Sequence, residues 1–121
     1  MADRKKIGNL GEKFALEFLQ KKGYKLIEKN WRHGKTGEID IIFLDNNDLV
    51  FVEVKTRTKP IAGYAEDDVN STKIEKLGNL MDLYQGEHEE FSDCFPRLDI
   101  VAVEIFGLIP KFRHIKNLSF S

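Results

Sequence analysis

The sequence has little of the residues that mark secreted, membrane-spanning or strongly charged proteins. It contains one cysteine, Cys94, so no disulfide forms within the chain and the fold does not depend on an oxidising compartment. No apolar run approaches the roughly 20 residues that a membrane-spanning helix needs. The basic start "MADRKKIGNLGEKF" lacks the apolar core of a signal peptide. We therefore expect a cytoplasmic protein without a membrane partner.

A large excess of either charge is also missing. The 121 residues carry a formal net charge of −1, which argues against a generic coat protein for nucleic acid. The charges are nevertheless unevenly spread, since residues 1–35 hold ten Lys or Arg and four acids, whereas residues 61–99 hold three and ten. The basic first third could contact phosphates, because such contacts need only a local patch. A solvated face of a lysine-rich helix is the alternative.

Apolar periodicity and turn residues predict one α/β domain over residues 1–121. Helices are expected at 5–22 and from about residue 72, and strands at 24–30, 38–44, 49–56, 97–105 and 112–120. The segment "WRHGKTG" is expected to be a loop. The order α-β-β-β-α-β-β favours a mixed central sheet that is flanked by helices.

Four ionisable residues lie inside the most apolar hairpin, "GEIDIIFLDNNDLVFVEVK" at 37–55. Side chains alternate along a strand, so Glu38 and Asp40 share one face, and Glu53 and Lys55 share a face of the next strand. A tight turn at "DNND" pairs positions whose numbers sum to about 93, which predicts Asp40 opposite Glu53 and Glu38 opposite Lys55. Buried charges are costly unless they are paired or bound to a metal.

The predicted pair of carboxylates points to a cation. Two adjacent carboxylates repel each other unless one is protonated or a cation neutralises both. Mg²⁺ or Mn²⁺ prefers such oxygen ligands, and Glu12 on the first helix could approach the same place from above the sheet. An ion-pair network is the alternative, because cross-strand charge pairs need no function. The set of Asp40, Glu53, Lys55 and a helical glutamate favours the metal site.

The residues Asp40 and Glu53-Val54-Lys55 resemble the PD-(D/E)xK nuclease signature, with Ile39 in place of the proline. The element order resembles the restriction-endonuclease-like fold of that superfamily, and the spacing is most similar to archaeal Holliday junction resolvases. Three longer segments are similar to the YraN-like family of uncharacterised bacterial proteins: "NLGEKFALEFLQKKGYKLIEKNWR", "GEIDIIFLDNNDLVFVEVKTRT" and "RLDIVAVE". With the C-terminal "FRHIKNLSF", this resemblance covers nearly the whole chain.

The resemblance implies a metal-dependent endonuclease that hydrolyses phosphodiester bonds. It implies Asp40, Glu53 and Lys55 as catalytic residues. It further implies that Asp40, Glu53, the backbone carbonyl of Val54 and, directly or through a water, Glu12 hold Mg²⁺ or Mn²⁺. The implied partner is nucleic acid, with DNA favoured and branched DNA among the candidate substrates. Symmetric cleavage of a junction would need a homodimer.

Further residues are expected around this set. Glu38 and Thr56 are expected to support the site, and four basic residues to contact nucleic acid: Arg57, Lys59, Lys13 and Arg32. Trp31 is expected to pack on the domain rather than to stack on a base. Asp99 is expected either to orient a group near the site or to serve the edge of the sheet. The alternative function is a catalytically inactive module on the same fold that binds nucleic acid or protein.

Overall fold

A computed structural model describes residues 3–60 and 63–118, with the predicted element order α-β-β-β-α-β-β. The elements are α1 (Arg4–Lys21), β1 (Lys25–His33), β2 (Gly37–Asp45), β3 (Asp48–Arg57), α2 (Ser71–Glu87), β4 (Phe95–Glu104) and β5 (Lys111–Ile115). Two short 3₁₀ turns, Ala65–Asp68 and Glu89–Phe91, flank α2. The last part of the predicted C-terminal strand, at 119–120, lies outside the described residues.

The strands form one sheet in the order β1-β2-β3-β4-β5. The pairs β1–β2, β2–β3 and β4–β5 are antiparallel, whereas β3 and β4 are parallel, with Glu53 beside Ile100. A parallel pair needs a crossover connection, and α2 lies in that crossover. The sheet is therefore mixed, as predicted.

One helix packs on each face of the sheet. Ala15 of α1 belongs to a buried cluster with Val52 of β3, and Leu80 of α2 belongs to another with Phe51. Neighbouring residues of β3 thus face different helices, as the period of two requires. No helix within the described residues is both long and apolar enough to cross a membrane.

Two local expectations were wrong. Residues 31–33 continue β1 instead of forming a loop, and Trp31 pairs with Ile39 of β2. The helical spacing of Ile7, Leu10 and Phe14 also predicts that Leu10 lies on an apolar stripe of α1, but Leu10 is 42% exposed, while Gly11 is buried. The helix approaches the sheet along its small residues, because a small residue permits close contact, and this rotates Leu10 towards solvent.

Candidate metal centre

The two predicted metal-binding carboxylates lie where β2 and β3 separate. The β2–β3 ladder has the predicted register, with Ile41 opposite Val52, and it ends at that pair. Ile39 and Ile42 both pack in the cluster on the α2 face, whereas Ile41 packs in the cluster on the α1 face. A regular strand cannot place residues three apart on one face. The alternation of β2 therefore shifts by one residue at Asp40.

This irregularity brings the side chain of Asp40 against β3. Its Oδ2 accepts a hydrogen bond from the backbone N–H of Val54 at 2.8 Å. Glu53 precedes Val54 on β3 and is 6% exposed. The carboxylate of Asp40 thus takes the hydrogen bond of the Val54 N–H, which lies beyond the end of the β2–β3 ladder. This bond to the backbone holds Asp40 next to Glu53.

Both carboxyl groups hold a proton more tightly than usual. Burial, followed by the neighbouring charge of Glu53, raises the pKa of Asp40 to about 8. Burial also raises the pKa of Glu53, although the ammonium groups of Lys73 and Lys55 act in the opposite direction. Near neutral pH the metal-free pair therefore keeps a proton that an exposed pair would have released.

One oxygen of Glu53 lacks a partner. Oε2 is buried and has no hydrogen-bond partner among residues 3–60 and 63–118 when both carboxyl groups are ionised, so the proton kept by the pair is the donor open to it in the metal-free protein. Oε1 lies 3.9 Å from Nζ of Lys73. An unsatisfied buried polar atom costs about 1–3 kcal/mol, and more when it is charged. A divalent cation between Asp40 and Glu53 would satisfy it, and carboxylate oxygens are the ligands that Mg²⁺ and Mn²⁺ prefer. The residues present thus fit the predicted cation.

The set of side-chain ligands is small. No three Asp, Glu, His or Cys side chains of the described chain are grouped closely enough to hold one ion. Mg²⁺ usually keeps several waters and binds proteins through one or two carboxylates, a requirement that Asp40 and Glu53 meet. In this conformation Glu12 fits the indirect form of its predicted role, through a water, because it lines the same cleft without joining the pair.

Sequence reasoning missed Lys73. The residue lies in the first turn of α2, where its backbone N–H donates to the side chain of the N-cap residue Asn70 at 2.9 Å. The α2 crossover brings this turn to Glu53, and no local pattern links the two segments. Lys55, which was predicted, lines the cleft and forms no ion pair with another described residue.

A glycine lets α1 reach the site. A Cβ atom at Gly11 would lie 1.8 Å from Oγ1 of Thr56, so a side chain there would force α1 away from β3. The contact carries the next residue, Glu12, to the edge of the site. Partial burial raises the pKa of Glu12, against a hydrogen bond from Asn30 that lowers it. Thr56 is therefore the surface of β3 on which α1 rests.

Asn30 links two of the predicted carboxylates. Its amide donates to Oε1 of Glu12 at 2.8 Å and to Oε1 of Glu38 at 3.0 Å, and Arg32 donates to Glu38 at 2.8 Å. The predicted pairing of Glu38 with Lys55 was wrong, because the ladder ends before it reaches them. Asn30 has a left-handed backbone with φ of +52° inside β1. Asparagine tolerates this region better than most residues. An asparagine within the strand pattern is therefore the one sequence feature that could have indicated this backbone conformation.

An open cleft of about 690 Å³ runs along this end of β3. Eight of the predicted residues line it: Glu12, Asp40, Glu53, Val54, Lys55, Thr56, Arg57 and Lys59. Arg4 also lines the cleft and adds a basic group that was not predicted. The structure thus brings most of the predicted set into one solvent-accessible place.

The predicted contacts to nucleic acid are differently placed. Arg57 donates to the carbonyl of Gly63 and pairs with Asp68 at 3.5 Å, so its guanidinium is held at the cleft wall. Lys59 is exposed at the same cleft. Lys13 lines a neighbouring cleft of about 280 Å³ on the far side of Glu12, and Arg32 is 66% exposed at its pair with Glu38.

Trp31 and Asp99 belong to the framework of the domain. Trp31 is buried, and its ring lies edge-on to that of Tyr84 with the two ring centroids 5.1 Å apart. This confirms its predicted packing role. Asp99 is fully buried, accepts hydrogen bonds from Arg97 and contacts Nε2 of His114 at 2.7 Å. Burial alone would raise the pKa of Asp99, but its bonds to His114 and Arg97 hold the pKa below its usual value. Asp99 thus joins β4 to β5.

The chain matches a known family over most of its length. The model of the uncharacterised protein family UPF0102 matches residues 11–103. A UPF0102 protein of Caldanaerobacter subterraneus is 40% identical over 118 residues, which are 95% of each chain. A UPF0102 protein of Flavobacterium psychrophilum is 43% identical over 85% of this chain and 84% of the relative. One of Brachyspira hyodysenteriae is 46% identical over 69% of this chain and 70% of the relative. These matches confirm the YraN-like resemblance. The chain therefore belongs to the uncharacterised protein family UPF0102.

Proposed function

We propose that the protein is a metal-dependent endonuclease that hydrolyses phosphodiester bonds, with structured or branched DNA as the favoured substrate. The observation that carries the proposal is the buried carboxylate pair. Burial and the charge of Glu53 raise the pKa of Asp40 to about 8, and Oε2 of Glu53 has no hydrogen-bond donor among the described residues. Such a pair costs stability, and sites that cost stability are expected where function needs them.

The side chains around the pair have separable roles. Asp40, Glu53 and the backbone carbonyl of Val54 would hold Mg²⁺ or Mn²⁺. When bound, such a cation supplies an acidified attacking water and stabilises charge on the scissile phosphate. Lys55 carries three N–H donors at the cleft surface, where its ammonium can orient the attacking water or hold a phosphate oxygen. Glu12 is oriented by Asn30 and can accept a hydrogen bond from that water.

The charges of the cleft also bear on how nucleic acid would bind. Four basic side chains line it, Arg4, Lys55, Arg57 and Lys59, and four acidic ones, Glu12, Asp40, Glu53 and Asp68. Because the metal-free pair keeps a proton near neutral pH, these groups carry only a small positive charge and attract phosphates weakly. A divalent cation adds further positive charge and can itself bind a phosphate oxygen, so we expect nucleic-acid binding to strengthen with the metal.

Cleavage assays test the proposal directly. End-labelled four-way junctions, flaps, single strands and duplexes, in DNA and RNA forms, would be incubated with protein in Mg²⁺ or Mn²⁺. We expect cleavage that Asp40→Asn, Glu53→Gln and Lys55→Met each reduce at least about 100-fold. The exposed Asp82 of α2 offers a matched control, Asp82→Asn, which should cleave normally.

Two outcomes would redirect the account. Metal-dependent binding without cleavage of any substrate would contradict the nuclease and favour the inactive module. Sedimentation that shows only monomer, with and without a junction, would exclude symmetric junction cleavage by a homodimer while leaving cleavage of flaps or single strands open to the assay.

A further inference from the structure

The two oxygens of Glu53 have different surroundings. Oε1 lies 3.9 Å from Nζ of Lys73, and Oε2 is buried without a hydrogen-bond donor among the described residues. The side chain of Glu53 is 7% exposed, whereas the side chain of Lys73 is 38% exposed. The two oxygens share one negative charge, so a cation bound at Oε2 would weaken the attraction between Oε1 and the ammonium of Lys73.

The ion pair between Lys73 and Glu53 differs from the structural ion pairs of this protein. Arg97 makes two contacts with Asp99, at 3.0 and 3.1 Å, and both side chains are buried. Lys73 makes one long contact, through a flexible chain whose tip reaches solvent. A single contact of this length between an exposed ammonium and a carboxylate holds neither group firmly. The ion pair between Lys73 and Glu53 can therefore break easily.

The backbone of Lys73 is nevertheless held in place. Its backbone N–H donates to Oδ1 of Asn70, the N-cap residue of α2, at 2.9 Å. A capped first turn does not fray easily, so the Cα atom stays in place while the four-carbon side chain can change direction. Lys73 can leave Glu53 without leaving the site.

We propose that Lys73 is a displaceable counter-ion of the site. Its ammonium neutralises Glu53 in the metal-free protein and is released when a divalent cation takes up that carboxylate, and it then binds a phosphate oxygen of the nucleic acid. This inference rests on the proposed function, because it needs both the cation and the phosphate. It adds a phosphate-binding residue from α2, whereas the sequence pattern pointed only to α1, the hairpin and the residues that flank it.

Competition between Lys73 and the cation for Glu53 predicts the direction in which metal affinity changes when the ammonium is removed. If Lys73 and the cation exclude each other, removing the ammonium should strengthen binding of the cation in the absence of nucleic acid. If Lys73 only holds Glu53 in position, its removal should weaken that binding or leave it unchanged. The two roles therefore predict opposite changes in metal affinity.

The experiment uses calorimetric titration of Mn²⁺ into the full chain and its variants. We expect Lys73→Met to bind Mn²⁺ about 3- to 10-fold more tightly than the wild type. Lys73→Arg should stay near the wild type. Lys76→Met removes an exposed lysine one turn further along α2 and is the control, with no change expected. Thermal melting of each variant checks that it is folded.

The second measurement is binding of a fluorescent four-way junction in Ca²⁺, followed by anisotropy. Lys73→Met should bind the junction about tenfold more weakly, although it binds Mn²⁺ more tightly. Equal or weaker Mn²⁺ binding by Lys73→Met, beside wild-type binding that Asp40→Asn abolishes, would overturn the counter-ion role alone. Absence of any Mn²⁺ site in the wild type would overturn the proposed function and this inference with it.

Discussion

The carboxylate of Asp40 accepts a hydrogen bond from the backbone N–H of Val54 at 2.8 Å. This contact lies beyond the last ladder pair of β2 and β3, Ile41 and Val52. A side chain therefore occupies the place where a strand carbonyl would otherwise accept, and it presses one carboxyl group against Glu53. The hydrogen bond that joins Asp40 to β3 thus also brings two carboxyl groups together, and a cation would relieve their repulsion.

The first prediction concerns stability and pH in metal-free protein. Burial and Glu53 raise the pKa of Asp40 to about 8, whereas aspartate in an unfolded chain titrates near pH ~4. Between these values the folded protein binds a proton that the unfolded chain has released. The contribution of Asp40 to stability is therefore complete below pH ~4 and is lost as pH rises through about 8.

Asp40→Asn should remove this dependence, because an amide keeps an oxygen for the N–H of Val54 but cannot ionise. In EDTA the roughly four-unit difference between these pKa values predicts that the variant exceeds the wild type in free energy of unfolding by up to about 5 kcal/mol at pH 8.5 and by about zero near pH 4. Urea unfolding across the pH range measures this difference. A constant difference at all pH values would mean that Asp40 is not the group that titrates.

The second prediction concerns the approach of α1 to β3. Gly11→Ala places a methyl group 1.8 Å from Oγ1 of Thr56, so we expect a loss of about 1–3 kcal/mol in the free energy of unfolding. Gly8 lies in the same helix with nothing within 4 Å of its added Cβ. Gly8→Ala should therefore be neutral or gain up to about 1 kcal/mol. Similar effects of the two substitutions in thermal melts would disprove the close contact.

The third prediction concerns the bridge that Asn30 makes. Asn30→Gly retains a residue that tolerates a φ of +52° but removes both amide donors. Because the hydrogen bond from Asn30 lowers the pKa of Glu12, this substitution should raise that pKa further. Carbon-detected NMR titration of the Glu12 carboxyl measures the shift. An unchanged pKa would show that Asn30 does not hold Glu12 in solution.

The fourth prediction separates the framework from the site. Arg97 binds Asp99, Asp45, Asp48 and the hydroxyl of Tyr24. Arg97→Met leaves Asp99 buried without its cation, and we expect a loss of about 3–5 kcal/mol in the free energy of unfolding. Mn²⁺ affinity of the folded variant should stay that of the wild type.

A contrasting substitution completes that comparison. Lys55→Met removes a partly exposed cation that forms no ion pair with a described residue, so it should change stability by less than about 1 kcal/mol. Its expected effect is on cleavage instead. If Arg97→Met altered Mn²⁺ affinity strongly, the two ends of the sheet would be coupled, contrary to this account.

Much of the site could be predicted because its signal is local. The register of a hairpin follows from its turn, so the pairing of Ile41 with Val52 was predictable from residues 37–55. Burial of Glu53 followed from the apolar residues on either side of it. A helical glutamate before the hairpin was enough to place Glu12 near the same cleft.

The missed features depend on contacts between distant segments. β1 continues past the left-handed residue Asn30 through "WRH", a stretch that is typical of a loop when each residue is considered alone. The end of the ladder at Ile41 detached Glu38 from Lys55. Lys73 meets Glu53 only because the parallel pairing of β3 with β4 returns α2 to that end of the sheet.

Whether Asp40 and Glu53 form a metal centre is decided by calorimetric titration of Mn²⁺ into the metal-free wild type, beside Asp40→Asn, Glu53→Gln and the control Asp82→Asn. We predict one site in the wild type and the control, weakened at least about tenfold by either of the other two substitutions, with proton release at pH 7 because the cation displaces the proton of the pair. A repeat in the presence of junction DNA covers a site that forms only with substrate. Absence of binding under both conditions, or binding that neither substitution affects, would contradict the metal centre and leave the buried charges as an ion-pair network.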